Sequence, residues 1–513
     1  MAISEEVRQR FAGEFEKFQK GIEGFFSKEI APKDFKGIGG GFGSYAERGF
    51  ESAMLRLRFF GSRILPYQMK FLVNAVKKYD LKYVHFTTGQ CIQFHKLQGE
   101  QILELYKECF EHDIYNRGTG GDNLRNVTAS PLHGVHPAEP FAVTPYLQAV
   151  SEYAVSLIGT LALPRKYKIG FSVVDNEGHA NYKDLGFLAK ENGKFDVYAG
   201  GGIGGGSAFG FLVDEDINPN EVLHHVEGML HLYHELGDFK NRGKARSRFI
   251  AQRLGEEEFR KAYHEYLAKS KAAHDLTLSV EPYTVKKVGT TTPTTSLAEP
   301  QKQEGLYYIQ YKPLVGTPPM DVFVKLFDYV GGLEDTEIRI CGDESVYIVN
   351  LTGEEADAVA AIIGDTHAKN SFEHTVSCVG ATICQIGFQD SSGLVKVIKE
   401  AVEGAGLSTD CLPQLHVSGC PSSCGTHQVG KLGFHGFTKV VDKKPQPAFK
   451  VFVNGNGEVE GQHMSDELGV ITVEDIPKFF IDLVKTLEAA GQDYDTWNAA
   501  HPEGLQSILA KYL

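Results

Sequence analysis

Hydrophobic and polar positions follow the same order in two stretches of the chain. Residues 54–94 have the pattern of strand, glycine-containing turn, amphipathic helix, strand, turn and strand, and residues 306–349 repeat that order. The two patterns stay in register at an offset of 254 or 255 residues. We interpret this as an internal duplication, with a chance match between two common strand–helix–strand units as the alternative.

Between the repeats, residues 279–305 lose this periodicity and become rich in Thr, Pro, Lys and Glu, which is typical of a linker. Outside the repeats, the patterns predict further elements. The predicted strands cover 168–174, 195–199 and 450–453, and the predicted helices cover 220–236, 244–269, 394–403 and 473–490. The chain is therefore predicted to be an α/β (α+β) protein of two related halves, each with a repeat followed by an α/β lobe.

The composition narrows the range of functions. The chain has 513 residues, 42% of them hydrophobic and 23% charged, as expected of a globular protein with several domains. Its formal charge of −14 argues against a general nucleic-acid binder. The first residues lack the apolar core of a signal peptide, and the longest apolar stretch, 153–163, is too short to cross a bilayer. We therefore expect a cytoplasmic protein with reduced cysteines and no membrane partner.

Four of the eight cysteines form two short motifs. Cys378 and Cys384 lie in CVGATIC, and Cys420 and Cys424 lie in CPSSC. Four thiolates can hold an iron–sulfur cluster or a zinc ion. Zinc knuckles and redox dithiols usually use C-x2-C, so the wider spacings favour a cluster, while zinc and cysteines without a metal role stay open as alternatives. The cysteines outside these motifs are Cys91, Cys109, Cys341 and Cys411.

Basic residues are concentrated in a few segments of this acidic chain. Arg56 and Arg58 alternate along a predicted strand, and so do Lys166 and Lys168. Because residues at i and i+2 of a strand share a face, each pair presents two positive charges to one side. Arg125 and the segment NRGKARSR add further cations. This pattern suits an anionic ligand, although each pair taken alone is also typical of a solvated surface.

Together these motifs resemble the siroheme-dependent sulfite and nitrite reductases. The resemblance joins the cysteine motifs to MLRLR, QFH, LRNV, LPRKYK, GGG and NR-x3-R in the order that the family has, over about residues 54–436. It implies a pseudo-twofold fold in which duplicated ferredoxin-like half-domains join two α/β lobes that bind siroheme and a [4Fe–4S] cluster. The expected boundaries are 1–145 for the N-terminal arm and first half-domain, 146–278 for the first lobe, 279–305 for the linker, 306–365 for the second half-domain and 366–513 for the second lobe.

The resemblance also implies roles for individual residues. The residues that match the cluster ligands are Cys378, Cys384, Cys420 and Cys424. Cys424 also matches the thiolate that bridges the cluster to the siroheme iron. The residues that match the family's substrate-binding cations are Arg56, Arg125, Lys166 and Lys168. The residues that match positions next to siroheme are Gln93, His95 and Arg246, with Arg58 assisting.

The chain departs from the family at a few positions. Family members carry arginines that neutralise siroheme carboxylates where this chain has His85 and Gly89, and Arg63 is a candidate to replace them. Ser422 stands where asparagine is common. His416 and His427 lie beside the cysteines but match no family role, so we expect them either to support the cysteine ligands without binding metal or to be structural.

The resemblance implies an enzyme that reduces sulfite to sulfide with six electrons at siroheme, with reduction of nitrite to ammonia as the alternative. Lys168 favours sulfite, because the family's nitrite reductases tend to have asparagine there and a second ammonium favours a dianion over a monoanion. The stretch 130–145 instead resembles the ferredoxin-dependent nitrite reductases. The sequence shows no convincing flavin or nicotinamide motif, so we expect an external electron donor, either ferredoxin or a flavoprotein subunit. A non-catalytic protein stabilised by zinc is the alternative from another class.

Overall fold

The computed structural model describes residues 3–174 and 178–513. The chain forms two compact units. Unit 1 comprises Met1–Gly202, Ala208–Tyr311 and Pro318–Gly364, and unit 2 comprises Ile203–Ser207, Lys312–Thr317 and Asp365–Leu513. Unit 1 thus holds most of both repeats and the first α/β lobe, and unit 2 holds the second lobe. Among the described residues, no helix is both long and apolar enough to cross a bilayer.

The first repeat follows two N-terminal helices. The elements are α1 (Glu5–Phe26), α2 (Pro32–Gly39), β1 (Ser44–Ala46), β2 (Ala53–Leu57), β3 (Arg63–Ile64), α3 (Pro66–Lys78), β4 (Val84–Phe86), β5 (Ile92–Leu97) and α4 (Gly99–Glu111). The antiparallel sheet has the order β1-β2-β5-β4. Helix α3 begins at Pro66, whose fixed φ suits a first helical position, and it carries Lys77 and Lys78 in its last turn, where cations interact favourably with the helix dipole.

The first lobe combines parallel and antiparallel strands. Its elements are β6 (Thr128–Ala129), α5 (Thr144–Ser156), β7 (Ile169–Ser172), β8 (Leu185–Ala189), β9 (Phe195–Ala199), β10 (Phe211–Ile217), α6 (Val222–Leu236), α7 (Ser247–Leu254) and α8 (Glu256–Ala273). Strands β6, β7 and β8 are parallel neighbours, and β9 and β10 continue the sheet antiparallel. The single helix predicted at 244–269 is wrong, because Gly255 adopts a φ of +81° and separates two helices.

The second repeat confirms the internal duplication. Its elements are β11 (Ala298–Pro300), β12 (Tyr307–Tyr311), α9 (Met320–Val330), β13 (Glu337–Ile340), β14 (Val346–Leu351) and α10 (Gly353–Ile363). The sheet order is β11-β12-β14-β13, with β3 of the first repeat added beyond β13. Gln90 and Glu344 have φ of 53° and 70°, and Lys96 and Asn350 have φ of 62° and 63°. Such angles are uncommon outside glycine, so their recurrence at one offset indicates one backbone used twice.

Unit 2 repeats the topology of the first lobe. Its elements are β15 (Val376–Ser377), α11 (Ser391–Gly404), β16 (Leu415–Ser418), β17 (Leu432–Val441), β18 (Lys444–Val453), β19 (Asp466–Thr472), α12 (Ile476–Ala490), α13 (Tyr494–Ala500) and α14 (Gly504–Leu509). Strands β15, β16 and β17 are parallel, and β18 and β19 continue antiparallel. In the first lobe Ile169 pairs with Leu185, and here Leu415 pairs with Leu432. The lobes are therefore a second duplicated pair, and strand register defines their equivalent residues.

A buried ion pair ties β3 to the second repeat. Arg63 donates from Nε and Nη2 to the two carboxylate oxygens of Glu337 at 2.9 and 2.5 Å, and Arg339 Nε donates to the same carboxylate at 3.0 Å. Burial opposes ionisation of Glu337, but the two guanidinium groups outweigh it and hold its pKa well below the usual value. The charge of Arg63 is thus already matched, which disfavours the expectation that Arg63 replaces the family's missing arginines.

Glu337→Gln is expected to lower the free energy of unfolding by about 3 kcal/mol or more at pH 7, because two buried guanidinium groups lose their carboxylate. The folded pKa of Glu337 lies below its unfolded value of about 4.3, so its contribution is complete above that value and declines as the pH falls below it. Urea unfolding at pH 7 and pH 4 measures the effect, with Glu299→Gln, an exposed position of β11, as the control. Equal stabilities of the two variants at pH 7 would contradict this account.

Candidate functional site

Two arginines, one in β2 and one directly after it, are anchored by backbone carbonyl oxygens. Arg56 donates from Nη1 to the Thr119 carbonyl at 2.9 Å. With the Gln93 amide oxygen turned toward it, Arg56 also donates from Nη2 and Nε at 2.6 and 3.0 Å. Arg58 is 2% exposed and donates from Nη2 to the Leu124 carbonyl at 2.9 Å. Three of the predicted site residues therefore lie around one group of carbonyls.

Arg125 joins this group and leaves it with unmatched charge. Its Nη1 and Nη2 donate to the carbonyls of Thr119 and Gly121 at 3.0 and 2.6 Å. The Nε atoms of Arg58 and Arg125 find no acceptor among the residues that the structure describes. Burial lowers the pKa of each guanidinium to about 10, and neighbouring arginines add to the effect. Carbonyls orient a cation without neutralising it, so this pocket suits an anionic group such as a siroheme carboxylate or an oxyanion.

Cys91 and Lys168 lie close to the same three arginines. Burial raises the pKa of the Cys91 thiol, whereas the charges of Arg56, Arg58, Arg125 and Lys168 act in the opposite direction. The structure thus brings four of the predicted cations together around one buried thiol. Sequence reasoning gave Cys91 no role, because a single cysteine in TTGQC carries no metal-binding spacing.

Lys183 is a buried lysine close to Lys168 that sequence reasoning missed. Lys166 and Lys168 precede β7 and are half-buried, and Lys168 donates its backbone N–H to Asp184 Oδ2 at 2.8 Å. Lys183 is 4% exposed, and its pKa lies well below the usual value because of burial and the charges of Lys168 and Arg246. Nothing in the polar run NYKD indicated that this lysine points into the interior.

Arg246 is already neutralised within unit 1. Its Nε and Nη2 donate to the two carboxylate oxygens of Asp184 at 3.2 and 2.8 Å. Burial opposes the positive charge, but Asp184 outweighs it and raises the pKa of Arg246. A Cβ at Gly202 would lie 3.1 Å from Arg246 Nη2, so glycine leaves room for the guanidinium. Arg246 therefore differs from Arg58 and Arg125, whose charges are unmatched.

His95 is a member of a buried pair on β5. Its Nδ1 lies 2.7 Å from Glu47 Oε1, and Ser52 donates to the other carboxylate oxygen at 2.6 Å. Burial lowers the pKa of His95, although Glu47 acts in the opposite direction. His85, which stands where the family has arginine, has its Nε2 3.7 Å from Glu344 Oε1. Glu47 fixes the His95 ring and leaves Nε2 as the nitrogen that can face a ligand.

Unit 2 places the four motif cysteines in the loops that follow β15 and β16. Cys378 directly follows β15, and its N–H donates to the Val417 carbonyl at 3.2 Å. Cys420 and Cys424 lie in the loop after β16. Negative charge on Cys424 raises the pKa of both Cys378 and Cys384, and negative charge on Cys420 raises the pKa of Cys384. The four thiols therefore share one neighbourhood.

This neighbourhood disfavours thiolates that lack a metal. Burial and the nearby Cys424 raise the pKa of Cys378 to about 12. The Gly419 N–H donates to Cys378 Sγ at 3.2 Å, and Ser391 Oγ lies 3.1 Å from it. Cys424 is exposed, whereas the other three motif cysteines are half-buried. Iron would neutralise such thiolates, and N–H groups next to sulfur tune iron–sulfur clusters, so these residues fit a [4Fe–4S] cluster with Cys424 open to a second group.

Zinc also accepts four cysteine thiolates as ligands, so it remains the alternative for these thiols. Among the described residues, no three His, Cys, Asp or Glu side chains are grouped closely enough to hold one metal ion.

The duplicated lobes differ at these positions. By strand register, Ser130 of the first lobe is equivalent to Cys378, and each donates its N–H to the neighbouring parallel strand. Val174 takes the place of Cys420. The first lobe thus has the fold of the second without these two cysteines.

Known families match two parts of the chain. The model described as "Nitrite and sulphite reductase 4Fe-4S domain" matches residues 120–271, and the model described as "Nitrite/Sulfite reductase ferredoxin-like half domain" matches residues 47–111. The stretch 120–271 contains no cysteine. The duplication explains this, because the stretch covers the lobe that shares the fold of the cysteine-bearing one.

Several known proteins are similar over most of the chain. The chloroplastic ferredoxin–nitrite reductase of Betula pendula is 26% identical over 78% of this chain and 71% of its own. The assimilatory ferredoxin-dependent nitrite reductase of Haloferax mediterranei is 24% identical over 86% and 81%. Sulfite reductase (ferredoxin) 1 of Mycolicibacterium paratuberculosis is 22% identical over 81% and 77%. The structure of the Mycobacterium tuberculosis NirA protein superposes with a TM-score of 0.75 at 19% identity, covering 93% of this chain and 90% of that one, and so shares the fold.

A duplicated ferredoxin-like fold, a lobe with four neighbouring cysteines and a pocket of buried cations suit an iron–sulfur oxidoreductase. The family matches make the assignment more specific. The chain is similar to the nitrite and sulfite reductases over most of its length, and this similarity supports siroheme and a [4Fe–4S] cluster as its cofactors.

Arg58→Met is expected to stabilise the protein produced without siroheme, by about 1 kcal/mol in the free energy of unfolding. The substitution removes a buried charge that lacks a carboxylate, and this gain exceeds the loss of one hydrogen bond to Leu124. Urea unfolding of the siroheme-free protein measures the change. The control is Arg253→Met, since Arg253 is exposed and also donates to a backbone carbonyl. A larger destabilisation by Arg58→Met than by the control would contradict the conclusion that the charge of Arg58 is buried without a matching carboxylate.

Proposed function

We propose that this chain reduces sulfite to sulfide with six electrons taken one at a time from reduced ferredoxin. One observation carries the proposal. The buried guanidinium groups of Arg58 and Arg125 have carbonyl partners and unmatched Nε atoms within the described residues, so their charge is available to a bound anion. Preorganised cations of this kind stabilise the negative oxygens of an oxyanion and their departure as water.

The residues of the pocket divide into two groups. The residues assigned to the substrate anion are Arg56, Arg125, Lys166 and Lys168. When bound, siroheme and the cluster supply the iron that holds the anion and the electrons that reduce it. The guanidinium groups hold charge but do not release protons near neutral pH, whereas the lysine ammonium groups can donate protons to the oxygens that leave.

The remaining assignments concern the cofactors. The residues assigned to siroheme are Gln93, His95, Arg58 and Arg246, and those assigned to the cluster are Cys378, Cys384, Cys420 and Cys424, with Cys424 as the bridge. Arg58 has unmatched charge for a siroheme carboxylate, whereas Arg246 would share its charge with Asp184. The boundaries at 145, 278, 305 and 365 are proposed as domain limits, which assigns the cysteines to the lobe of residues 366–513. Two elements lie before their limits, because β6 (Thr128–Ala129) joins the sheet of the first lobe and β11 (Ala298–Pro300) joins that of the second repeat.

Lys168 supports sulfite as the substrate. Its positive charge acts to lower the pKa of the Cys91 thiol, as do the charges of three arginines. Lys168 therefore belongs to the same group of cations. A second ammonium beside these guanidinium groups favours the dianion sulfite over the monoanion nitrite by charge alone.

Nitrite is the second candidate, because the relatives from Betula pendula and Haloferax mediterranei are named nitrite reductases. The relative from Mycolicibacterium paratuberculosis is named a sulfite reductase. All three names include ferredoxin, which supports ferredoxin rather than a flavoprotein subunit as the electron donor.

Lys168→Asn is expected to lower kcat/KM for sulfite about tenfold relative to kcat/KM for nitrite, since one positive charge is lost beside the anion and a tenfold change corresponds to about 1.4 kcal/mol. Steady-state rates with both anions and one reduced ferredoxin measure the ratio. Lys194→Asn, an exposed lysine of the same lobe, is the control. A wild type that prefers nitrite strongly, or a Lys168→Asn variant that loses both activities equally, would contradict the assignment of sulfite.

A further inference from the structure

Two buried histidines of unit 2 form a hydrogen-bonded chain behind the cysteine loop. His427 Nδ1 lies 3.0 Å from Ser418 Oγ, and His427 Nε2 lies 3.1 Å from His435 Nδ1. Ser418 and His427 are at most 1% exposed, and His435 is 8% exposed. The chain therefore runs from β17 inward to the end of β16.

Ser418 closes the loop that carries two of the cysteines. Its Oγ accepts the Gly425 N–H at 3.0 Å, so one hydroxyl joins the two ends of the segment that contains Cys420 and Cys424. A Cβ at Gly425 would lie 2.1 Å from a carbonyl oxygen of β16, so the peptide after Cys424 is pressed against that strand. The position of this peptide thus depends on a hydroxyl whose second partner is His427.

Both rings are neutral at physiological pH. Burial lowers the pKa of His427 to about 3 and that of His435 to about 4. The charged groups that face His435 are Lys450, its partner across the strands, and Glu467, which accepts from Lys450 Nζ at 2.8 Å. A neutral imidazole has one N–H and one acceptor nitrogen, so the hydrogen shared by the two rings determines what His427 offers to Ser418.

The first lobe provides a comparison within the same chain. In that lobe the equivalent serine accepts the N–H of Ala180 at 3.3 Å, whereas Ser418 accepts the N–H of Gly425. The serine is therefore present in both lobes, whereas the two histidines occur only in the lobe that has the cysteines. The equivalents of Ser418, His427 and His435 are Ser172, Ala180 and Leu188. Within the described residues, the hydrogen-bonded histidine pair thus accompanies the cysteines and is absent from the equivalent positions of the first lobe.

We propose that His435 and His427 are positioning residues that set the reduction potential of the cluster. They act through Ser418, whose hydroxyl fixes the Gly425 N–H and the adjacent Cys424. Peptide N–H groups that donate to thiolate sulfur stabilise the reduced cluster, and the Gly419 N–H, directly after Ser418, donates to Cys378 Sγ at 3.2 Å. Loosening the loop is therefore expected to make the cluster harder to reduce. The inference rests on the proposed function in its assignment of the four cysteines to the cluster.

The variants His435→Asn and His435→Gln separate hydrogen bonding from packing. Asparagine places its amide near the position of Nδ1 and keeps the contact with His427, whereas glutamine places its amide near Nε2 and loses it. The reduction potential of the cluster is measured in the holoenzyme by a redox titration that is monitored by electron paramagnetic resonance. We expect a more negative potential in His435→Gln and a potential close to that of the wild type in His435→Asn. His225→Gln is the control, because His225 is also buried and its Nδ1 lies 2.5 Å from the Tyr263 hydroxyl in the first lobe.

The iron content of each preparation is measured before the titration. Coinciding potentials in the wild type, His435→Asn and His435→Gln would overturn the inference, and so would an equal shift in His225→Gln. The titration uses neither sulfite nor nitrite, so its result is independent of the substrate assignment. An iron-free wild type would instead overturn the cofactor assignment on which both proposals rest.

Discussion

Buried positive charge without a carboxylate is the constraint on which this protein depends. Buried cations that stabilise the fold itself are paired with a carboxylate, as Arg63 and Arg339 are with Glu337. Among the described residues, Arg58 and Arg125 instead have backbone carbonyls, which hold the guanidinium groups in place but leave their charge unmatched. An enzyme that binds an anionic cofactor and an anionic substrate needs this second arrangement, and its stability without them is lower as a result.

The duplication explains how one fold accommodates two kinds of chemistry. Both lobes share strand order and register, but their loops carry different residues. In the first lobe, serine and valine stand where the second has Cys378 and Cys420, and alanine and leucine stand where the second has His427 and His435. The cations belong to unit 1 and the cysteines to unit 2. The two lobes therefore keep one strand order while they differ at the residues assigned to the cluster and its surroundings.

The sequence predicts features that are local or that depend on spacing. The repeat beginning near residue 54 follows from hydrophobic periodicity, and the cysteine motifs follow from their separations. Features that depend on tertiary contacts were missed. Helical periodicity continues across Gly255, so it cannot reveal the left-handed φ that splits the helix. The burial of Lys183 and the contact between His427 and His435 arise from packing and strand register, and no short motif encodes them.

The iron, acid-labile sulfide and siroheme content of the purified protein, measured together with its absorption spectrum, tests the central claim most directly. The account predicts a coloured protein with about five iron atoms per chain, four in the cluster and one in siroheme. A colourless protein that holds zinc and no iron, produced in cells that make siroheme, would contradict it.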